Sequence, residues 1–262
     1  MRWAENGVRN VFEIDLHRPN FAHGSEGQEI HFCTGRRSVG CARVANPQAG
    51  FFFADWDNLE PDEYLKDDAR FRLRRMTFFY FLPATGEVLP FPPTAYFQPI
   101  DMNVYAGGIQ CHFAPISEES QANPFLHELI RFSFRHMLVD SDAIASPWKL
   151  DVHQIRVVAT PEEAGEPTPE GVHHDENEFI SMHLIRRENA TGGESTIYDN
   201  DLNPLVECTL SQPLDTILVW DKHVMHGVTP IRPADTERPA IREMLLVGYD
   251  LNPDLQRPQP GQ

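Results

Sequence analysis

The chain has 262 residues, of which 39 are acidic and 22 basic, giving a formal net charge of −17. Such an excess repels the phosphate backbone, so a nucleic-acid substrate is not expected. No uncharged run approaches the roughly 20 residues that cross a bilayer, and the first ten residues lack an apolar leader, which predicts a cytoplasmic protein without membrane association. The length suits one domain over residues 1–262, the four cysteines are expected to be reduced thiols, and the oligomeric state stays open.

Two helices are predicted in the N-terminal half. Residues 57–76 begin with capping residues and Pro61 and end in several arginines, a distribution typical of a helix. Frequent prolines between Pro83 and Pro99 exclude a regular helix there and leave turns or edge segments. A second helix is predicted after Asn123, because apolar residues such as Leu126, Leu129 and Ile130 fall on one helical stripe.

Short β-rich segments separated by turns follow from Trp148 onward. They lie at residues 152–159, 179–186, 195–198, 215–220 and 241–249. Segments of this length, without helices long enough for βαβ crossovers, predict a mainly β, antiparallel fold. We expect a double-stranded β-helix, the cupin-like jelly roll, with its core at about residues 148–250 and a few packing helices. The Pro- and Gln-rich tail, residues 251–262, is predicted to be disordered.

One motif carries the features of a metal site. His173 and Asp175 are two residues apart, so in an extended segment their side chains point the same way, and His226 follows a strand that can return it to this pair. Two imidazoles and one carboxylate leave three octahedral positions open, as in non-haem Fe(II) oxygenases. The pattern alone does not exclude the pair His174 and Glu176, which has the same spacing, or a simple turn.

An arginine near the C-terminus adds to this pattern. Arg242 precedes an apolar run and follows His226 by sixteen residues, a suitable place for a cation that binds the distal carboxylate of 2-oxoglutarate. Arg238 is the competing candidate, although its neighbour Pro239 indicates a surface turn. The remaining histidines nearby are interpreted otherwise: His183 as a hydrogen-bonded residue of the sheet, and His223 as lying on the alternation opposite to His226.

Together these motifs resemble the bacterial 2-oxoglutarate dioxygenases that hydroxylate free amino acids. The resemblance covers roughly Trp148 to Tyr249 and rests on several ordered motifs: HQIR at 153–156, PEGVHHD at 169–175, GGES at 192–195, HGVTPI at 226–231 and IR at 241–242. It implies Fe(II) bound by His173, Asp175 and His226, with O2 as oxidant. This ligand assignment decides against the shifted pair His174 and Glu176. The resemblance further implies that Arg242 binds 2-oxoglutarate.

The same resemblance predicts which residues bind the substrate. It implies that Gln154 and Arg156 line the pocket, Gln154 towards the co-substrate and Arg156 towards a substrate carboxylate, in agreement with strand alternation. Glu176 stands where the family commonly has a small residue, and it could pair with a substrate ammonium. The expected substrate is a free L-amino acid. A non-catalytic jelly-roll binding module and a cupin-type metal-dependent isomerase or hydrolase are the alternative functions.

Overall fold

The computed structural model describes residues 30–33, 47–67, 69–98, 107–137 and 139–259. Its helices are α1 (Pro47–Ala54), continued by a 3-10 turn (Asp55–Asn58), α2 (Glu118–Gln121), α3 (Pro124–Arg135) and α4 (Ser141–Ala145). The strands of the N-terminal half are β1 (Ile30–Cys33), β2 (Glu60–Pro61), β3 (Arg72–Leu82), β4 (Glu87–Pro90), β5 (Tyr96–Phe97) and β6 (Gln110–Cys111). Those of the C-terminal half are β7 (Trp148–Ala159), β8 (Phe179–Glu188), β9 (Ala190–Gly192), β10 (Ser195–Tyr198), β11 (Pro204–Cys208), β12 (Thr216–Val219), β13 (Met225–Val228), β14 (Ile231–Pro233) and β15 (Ala240–Leu251).

The strands form one large and several small antiparallel sheets. The large sheet has the order β1-β12-β8-β15-β7-β3-β2, with β4 added beside β3. A three-stranded sheet, β11-β10-β13, and the pair β14-β9 complete the second layer. This is the double-stranded β-helix predicted from the sequence, and the five predicted C-terminal segments coincide with β7, β8, β10, β12 and β15.

The large sheet is buried on both faces. Its outer face packs against α1 and α3 in an aromatic core that contains Phe52, Trp56, Phe134 and Trp148. Its inner face packs against the small sheet through residues such as Met182, Ile197 and Met244. Burial on both faces explains why β15 contains the uninterrupted apolar run 244–247, without the alternation of a strand that faces solvent on one side.

The second predicted helix is confirmed as α3. The side chain of Asn123 accepts a hydrogen bond from the Phe125 amide at 2.9 Å, and Pro124 occupies the first turn, where its missing N–H costs nothing. Leu126, Leu129 and Ile130 form its buried stripe. The helix is thereby fixed on the outer face of the large sheet.

The first predicted helix is wrong. Residues 57–76 instead contain the end of the 3-10 turn, β2 and the start of β3. Two of the arginines that suggested a helix terminus, Arg72 and Arg74, share the inner face of β3 and line one cavity. Leu73, between them, packs against the outer core. A period of two therefore underlies this segment, and its apolar continuation, residues 76–82, is a central strand.

The structure bears in part on three further predictions, which concern the C-terminal tail, the cysteines and membrane association. Leu251 ends β15 and Arg257 forms an ion pair with Glu87 at 2.7 Å, so the tail predicted to be disordered is attached to the sheet in this part. Residues 260–262, and the first ten residues, lie outside the described ranges. Cys111 and Cys208 are free thiols. None of the helices described is long and apolar enough to cross a membrane.

Candidate metal centre

The connection between β7 and β8, residues 160–178, carries two of the predicted ligands. It lies along β13 and β14 and is held there by backbone pairs of Gly165 with Ile231 and of His173 with His226. The amides of His173 and His226 each donate to the carbonyl of the other at 3.0 Å. The Thr168 hydroxyl adds bonds to the backbone of Val228 at 3.0 and 3.2 Å. The loop is therefore registered residue by residue against the strand that carries His226.

His173, Asp175 and His226 meet in one cluster, in which both histidines are buried and Asp175 is half-buried. Asp175 Oδ1 is 3.5 Å from His173 Nε2, and Asp175 Oδ2 is 3.4 Å from His226 Nε2. The two imidazole rings have centroids 4.5 Å apart, and His173 Nδ1 donates to the Gly171 carbonyl at 3.0 Å, which leaves Nε2 facing the carboxylate. Within the described residues these three side chains form a group with ligand atoms within 4.8 Å of one another.

The cluster fits a divalent cation. Ligand atoms at about 2.1 Å from a metal and at right angles are about 3 Å apart, close to the spacing seen here. Asp175 Oδ2 and His226 Nδ1 are buried without a hydrogen-bond partner. Buried polar atoms are rarely left unpaired, so an orphaned carboxylate oxygen directed at an imidazole is expected of a ligand set. Two nitrogens and one oxygen on one side leave room for further ligands.

Electrostatics support the same interpretation. Burial opposes a charge on His173, but its hydrogen bond with Asp175 and the nearby carboxylates outweigh burial and raise its pKa to about 9. Burial likewise disfavours ionised Asp175, yet the His173 hydrogen bond and the His226 charge hold the pKa of Asp175 below its usual range. Burial and the His173 charge lower the pKa of His226 to about 4. The carboxylate of Asp175 therefore stays negatively charged between the two imidazoles, a charge that a bound cation would balance.

The competing histidines lie elsewhere. His174 Nδ1 bonds to the Asp221 carbonyl at 2.7 Å, and neither His174 nor Glu176 belongs to the cluster. His223 is exposed on the turn Asp221–His223. His183 is fully buried and hydrogen-bonded to Thr216 at 2.8 Å, as predicted for a histidine of the sheet.

Arg242 is a buried cation without a carboxylate partner in the described part of the chain. Only 4% of it is exposed, its Nε has no hydrogen-bond partner, and burial together with the Arg187 charge lowers its pKa to about 10. Arg242 shares the parity of Met244 and Leu246 on β15, which places it on the inner face. Two neighbouring guanidinium groups favour an anion between them. Arg238, by contrast, is exposed and paired with Asp235 at 3.1 Å.

Gln154 and Arg156 do share one face of β7, but it is the outer face. The Gln154 amide donates to Asp55 at 3.0 Å. Arg156 bonds Glu243 at 2.6 Å and Asp57 at 3.0 Å. The prediction that both residues line the pocket is therefore wrong. Strand alternation gave their common side correctly, but both faces of β7 are buried, so the sequence did not reveal which face meets the metal centre.

A cavity of about 90 Å³ lies against the cluster. Its other walls come largely from residues that the sequence analysis missed or misplaced: Arg72, Arg74, Tyr96, Phe113, Glu170 and Leu246. Glu176 is absent from this lining; it is half-buried in a left-handed backbone conformation, with φ of 70°. The missing signal was the alternation of arginines at positions 72 and 74, which indicates one face of a strand as well as it indicates the end of a helix.

Comparison with known proteins identifies the family. A model of the 2OG-Fe dioxygenase family matches residues 54–248. The chain belongs to this family. As a dioxygenase it is an oxidoreductase that uses Fe(II), 2-oxoglutarate and O2, and the His-Asp-His cluster agrees with this requirement. The binding-module and cupin-type alternatives are correspondingly not favoured.

Two curated proteins and one crystal structure are similar to this chain. L-isoleucine-4-hydroxylase from Bacillus thuringiensis is 28% identical over 206 residues, or 74% of this dioxygenase and 80% of the relative. The 3(1)-hydroxy-L-isoleucine 4-dioxygenase from Pantoea ananatis is 30% identical over 105 residues, or 39% and 42% of the two chains. The crystal structure of a bsmA homologue from Methylobium petroleophilum PM1 superposes with a TM-score of 0.69 at 28% identity, covering 84% of this chain and 88% of that one.

Proposed function

We propose that this dioxygenase hydroxylates an unactivated C–H bond of a free L-amino acid, with His173, Asp175 and His226 as Fe(II) ligands. The cluster of these three residues, with its orphaned carboxylate oxygen, carries the proposal. Similarity to the isoleucine hydroxylase of B. thuringiensis supports the substrate class. When bound, iron would couple the oxidative decarboxylation of 2-oxoglutarate to hydroxylation of the substrate. One oxygen atom of O2 enters succinate, which forms together with CO2, and the other enters the C–H bond as a hydroxyl group.

The protein's own residues position the reactants. Arg242 binds the distal carboxylate of 2-oxoglutarate, for which its buried guanidinium has no competing partner among the residues described. Asp175 supplies the negative charge that balances the cation, and the backbone pair between His173 and His226 keeps both imidazoles on one side. The cavity walls exclude bulk water and hold one C–H bond at the reactive position.

The test is an assay of succinate release with Fe(II) and 2-oxoglutarate against the twenty free L-amino acids. Mass spectrometry should detect a product heavier by one oxygen for at least one of them, with L-isoleucine tried first. N-acylated and peptide-linked forms of the same amino acid should react more slowly. Succinate release that no amino acid stimulates, or faster reaction of the capped forms, would refute the proposal.

Other parts of the proposal come from sequence alone. We retain the expectation of one dioxygenase domain, of a cytoplasmic location and of no nucleic-acid partner, the last because of the net charge of −17.

A further inference from the structure

The cavity beside the metal centre contains two opposite charges that the proposed iron and 2-oxoglutarate sites do not use. Arg72, Arg74, Glu170 and Asp175 are the charged side chains of its lining other than histidine. Asp175 is a proposed ligand, and Arg72 is bound to Asp62 at 2.8 Å. Arg74 and Glu170 remain, one cation and one anion in the same wall.

The guanidinium of Arg74 is fixed in place and has only one, long ion pair among the described residues. Its Nε and Nη2 donate to His153 Nδ1 at 3.1 and 2.7 Å, and its Cζ lies 4.2 Å from the centroid of the Phe113 ring. The ion-pair partner, Asp62, is 3.9 Å from Arg74 Nη1 and is shared with Arg72, which it bonds at 2.8 Å. A held cation whose one ion pair is long and shared is suited to a carboxylate ligand.

A chain of hydrogen bonds holds this arrangement together. His153 Nδ1 accepts from Arg74, so its Nε2 carries the proton that is donated to Asp151 at 3.0 Å. Asp151 in turn accepts from the Asn177 side chain at 2.8 Å, and Asn177 lies two residues after Asp175 in the loop. The guanidinium is thus positioned relative to the segment that carries the metal ligands.

Glu170 provides the anion. Its Oε1 lies 3.2 Å from His173 Nε2, the nitrogen that faces Asp175, and its side chain is 14% exposed. Its carboxylate belongs to the lining of the cavity beside the metal centre, and among the described residues no arginine or lysine forms an ion pair with it. A cationic group in the cavity can therefore pair with this carboxylate.

We infer that Arg74 binds the α-carboxylate of the substrate and Glu170 its α-ammonium, so that these two residues select a free zwitterionic amino acid. The inference rests on the proposed function and deepens it. It also assigns to β3 and to the loop before His173 the two roles that the sequence had suggested for Arg156 and Glu176. Arg156 already pairs with Glu243 and Asp57 on the other side of the sheet.

The experiment compares Arg74→Gln and Glu170→Gln with the wild-type holoenzyme on three probes. L-isoleucine carries both charges, L-isoleucinamide lacks the carboxylate, and 2-hydroxy-3-methylpentanoate lacks the ammonium. KM is measured for each probe that is hydroxylated, and the inhibition constant for each that is not. Iron content is measured in parallel on every variant.

Arg74→Gln should raise the KM for L-isoleucine about 10- to 100-fold. The KM or inhibition constant of L-isoleucinamide should change by less than about threefold, because this probe has no carboxylate. Glu170→Gln should raise the KM for L-isoleucine by a similar factor, with little change for the hydroxy acid. The matched controls are Arg75→Gln, on the opposite face of β3, and Glu166→Gln, an exposed acid of the same loop. Both controls should retain the wild-type KM for all three probes.

If Arg74 and Glu170 had a purely structural role, their variants would bind all three probes more weakly and to the same extent. That result would overturn the inference. Loss of iron in Glu170→Gln also overturns it, because Glu170 would then belong to the metal site. If the wild type shows no amino-acid-dependent succinate release, the proposed function itself fails and the inference falls with it. If the wild type is active but both variants keep its selectivity among the probes, only the inference fails.

Discussion

At the scale of single residues, sequence could predict the three side chains that the structure brings together but not the walls of the cavity beside them. Spacing left two candidate pairs, His173 with Asp175 and His174 with Glu176, and the resemblance to the family favoured the first, which lies with His226 in the structure. Gln154 was misplaced because position 154 is as buried as position 153, with 0% and 3% exposure. Where both faces of a strand are buried, composition gives no sign of which face meets the cavity.

The ligand assignment predicts a clear pattern of iron loss. Asp175→Ala should lower Fe(II) affinity more than about 100-fold, because it removes the only anionic ligand, and His226→Ala should have a comparable effect. His174→Ala and His223→Ala are the controls and should retain iron. Iron content after dialysis, measured on the four variants, checks this. Loss of iron in His174→Ala alone would indicate the shifted pair.

Arg242 should act on the co-substrate and not on the metal. A buried charge-assisted pair is worth about 2–4 kcal/mol, so Arg242→Ala should increase the co-substrate KM roughly 30- to 1,000-fold. Iron affinity should change little, since the guanidinium contacts none of the three ligands. Arg238→Ala, which removes only an exposed pair with Asp235, should resemble the wild type. An increase seen for Arg238→Ala in place of Arg242→Ala would reverse the assignment.

At the scale of elements, β3 shows where local signals mislead. Residues 57–76 have the capping residues and terminal arginines of a helix, yet β3 pairs with β7 over ten residues, from Arg72 opposite Val157 to Phe81 opposite Trp148. Such pairing joins residues about eighty positions apart, so no local window contains it. The C-terminal strands were easier to predict, because turn residues separate the β-rich segments and mark their ends.

Gly248, on β15, should be required by the neighbouring loop. A Cβ at this position would lie 2.4 Å from Asn177 Oδ1 and 2.3 Å from Asp151 Oδ1. Gly248→Ala therefore has to displace the Asn177 side chain, which bonds Asp151 and Asp250 at 2.8 and 3.1 Å. We expect a loss of about 1–3 kcal/mol in the free energy of unfolding, together with weaker Fe(II) binding.

Urea denaturation and Fe(II) titration of the same preparation test this prediction. Gly50→Ala is the control, because nothing lies within 4 Å of its added Cβ on the exposed side of α1. That variant should be neutral or stabilised by up to about 1 kcal/mol. Wild-type stability and iron affinity in Gly248→Ala would contradict the role given to this glycine.

At the scale of the whole molecule, the outer helices are joined to the large sheet by buried polar contacts as well as by the aromatic core. His183, on β8, makes the clearest of these contacts. Its Nδ1 donates to the Thr216 hydroxyl of β12 at 2.8 Å, since that hydroxyl itself donates to the Leu214 carbonyl. Its Nε2 lies 3.3 Å from Ser133 Oγ of α3 and 3.1 Å from Ser181 Oγ. A neutral imidazole thus links helix and sheet.

Acid should weaken this link in a defined pH range. Burial lowers the pKa of His183 from 6.5 to about 3. Below pH 6.5 the unfolded chain therefore binds a proton that the folded chain excludes, so the contribution of His183 is complete above about pH 6.5 and is lost as the pH falls towards 3. The expected slope from this residue is about 1.4 kcal/mol per pH unit.

Other groups also titrate in this range, so the prediction concerns a difference between variants. The pKa of Asp250, for example, is raised by burial to about 6, which acts in the opposite direction because the folded state then retains the proton.

Replacing His183 by asparagine removes only the histidine contribution. The free energy of unfolding, measured by urea denaturation between pH 7 and pH 4.5, should fall less steeply for His183→Asn than for the wild type, by about 1 kcal/mol per pH unit on average over this range. His223→Asn, at the exposed end of a surface turn, should follow the wild-type slope. Parallel curves for the wild type and His183→Asn would mean that the folded protein accommodates the charged ring, and that this contact does not limit stability in acid.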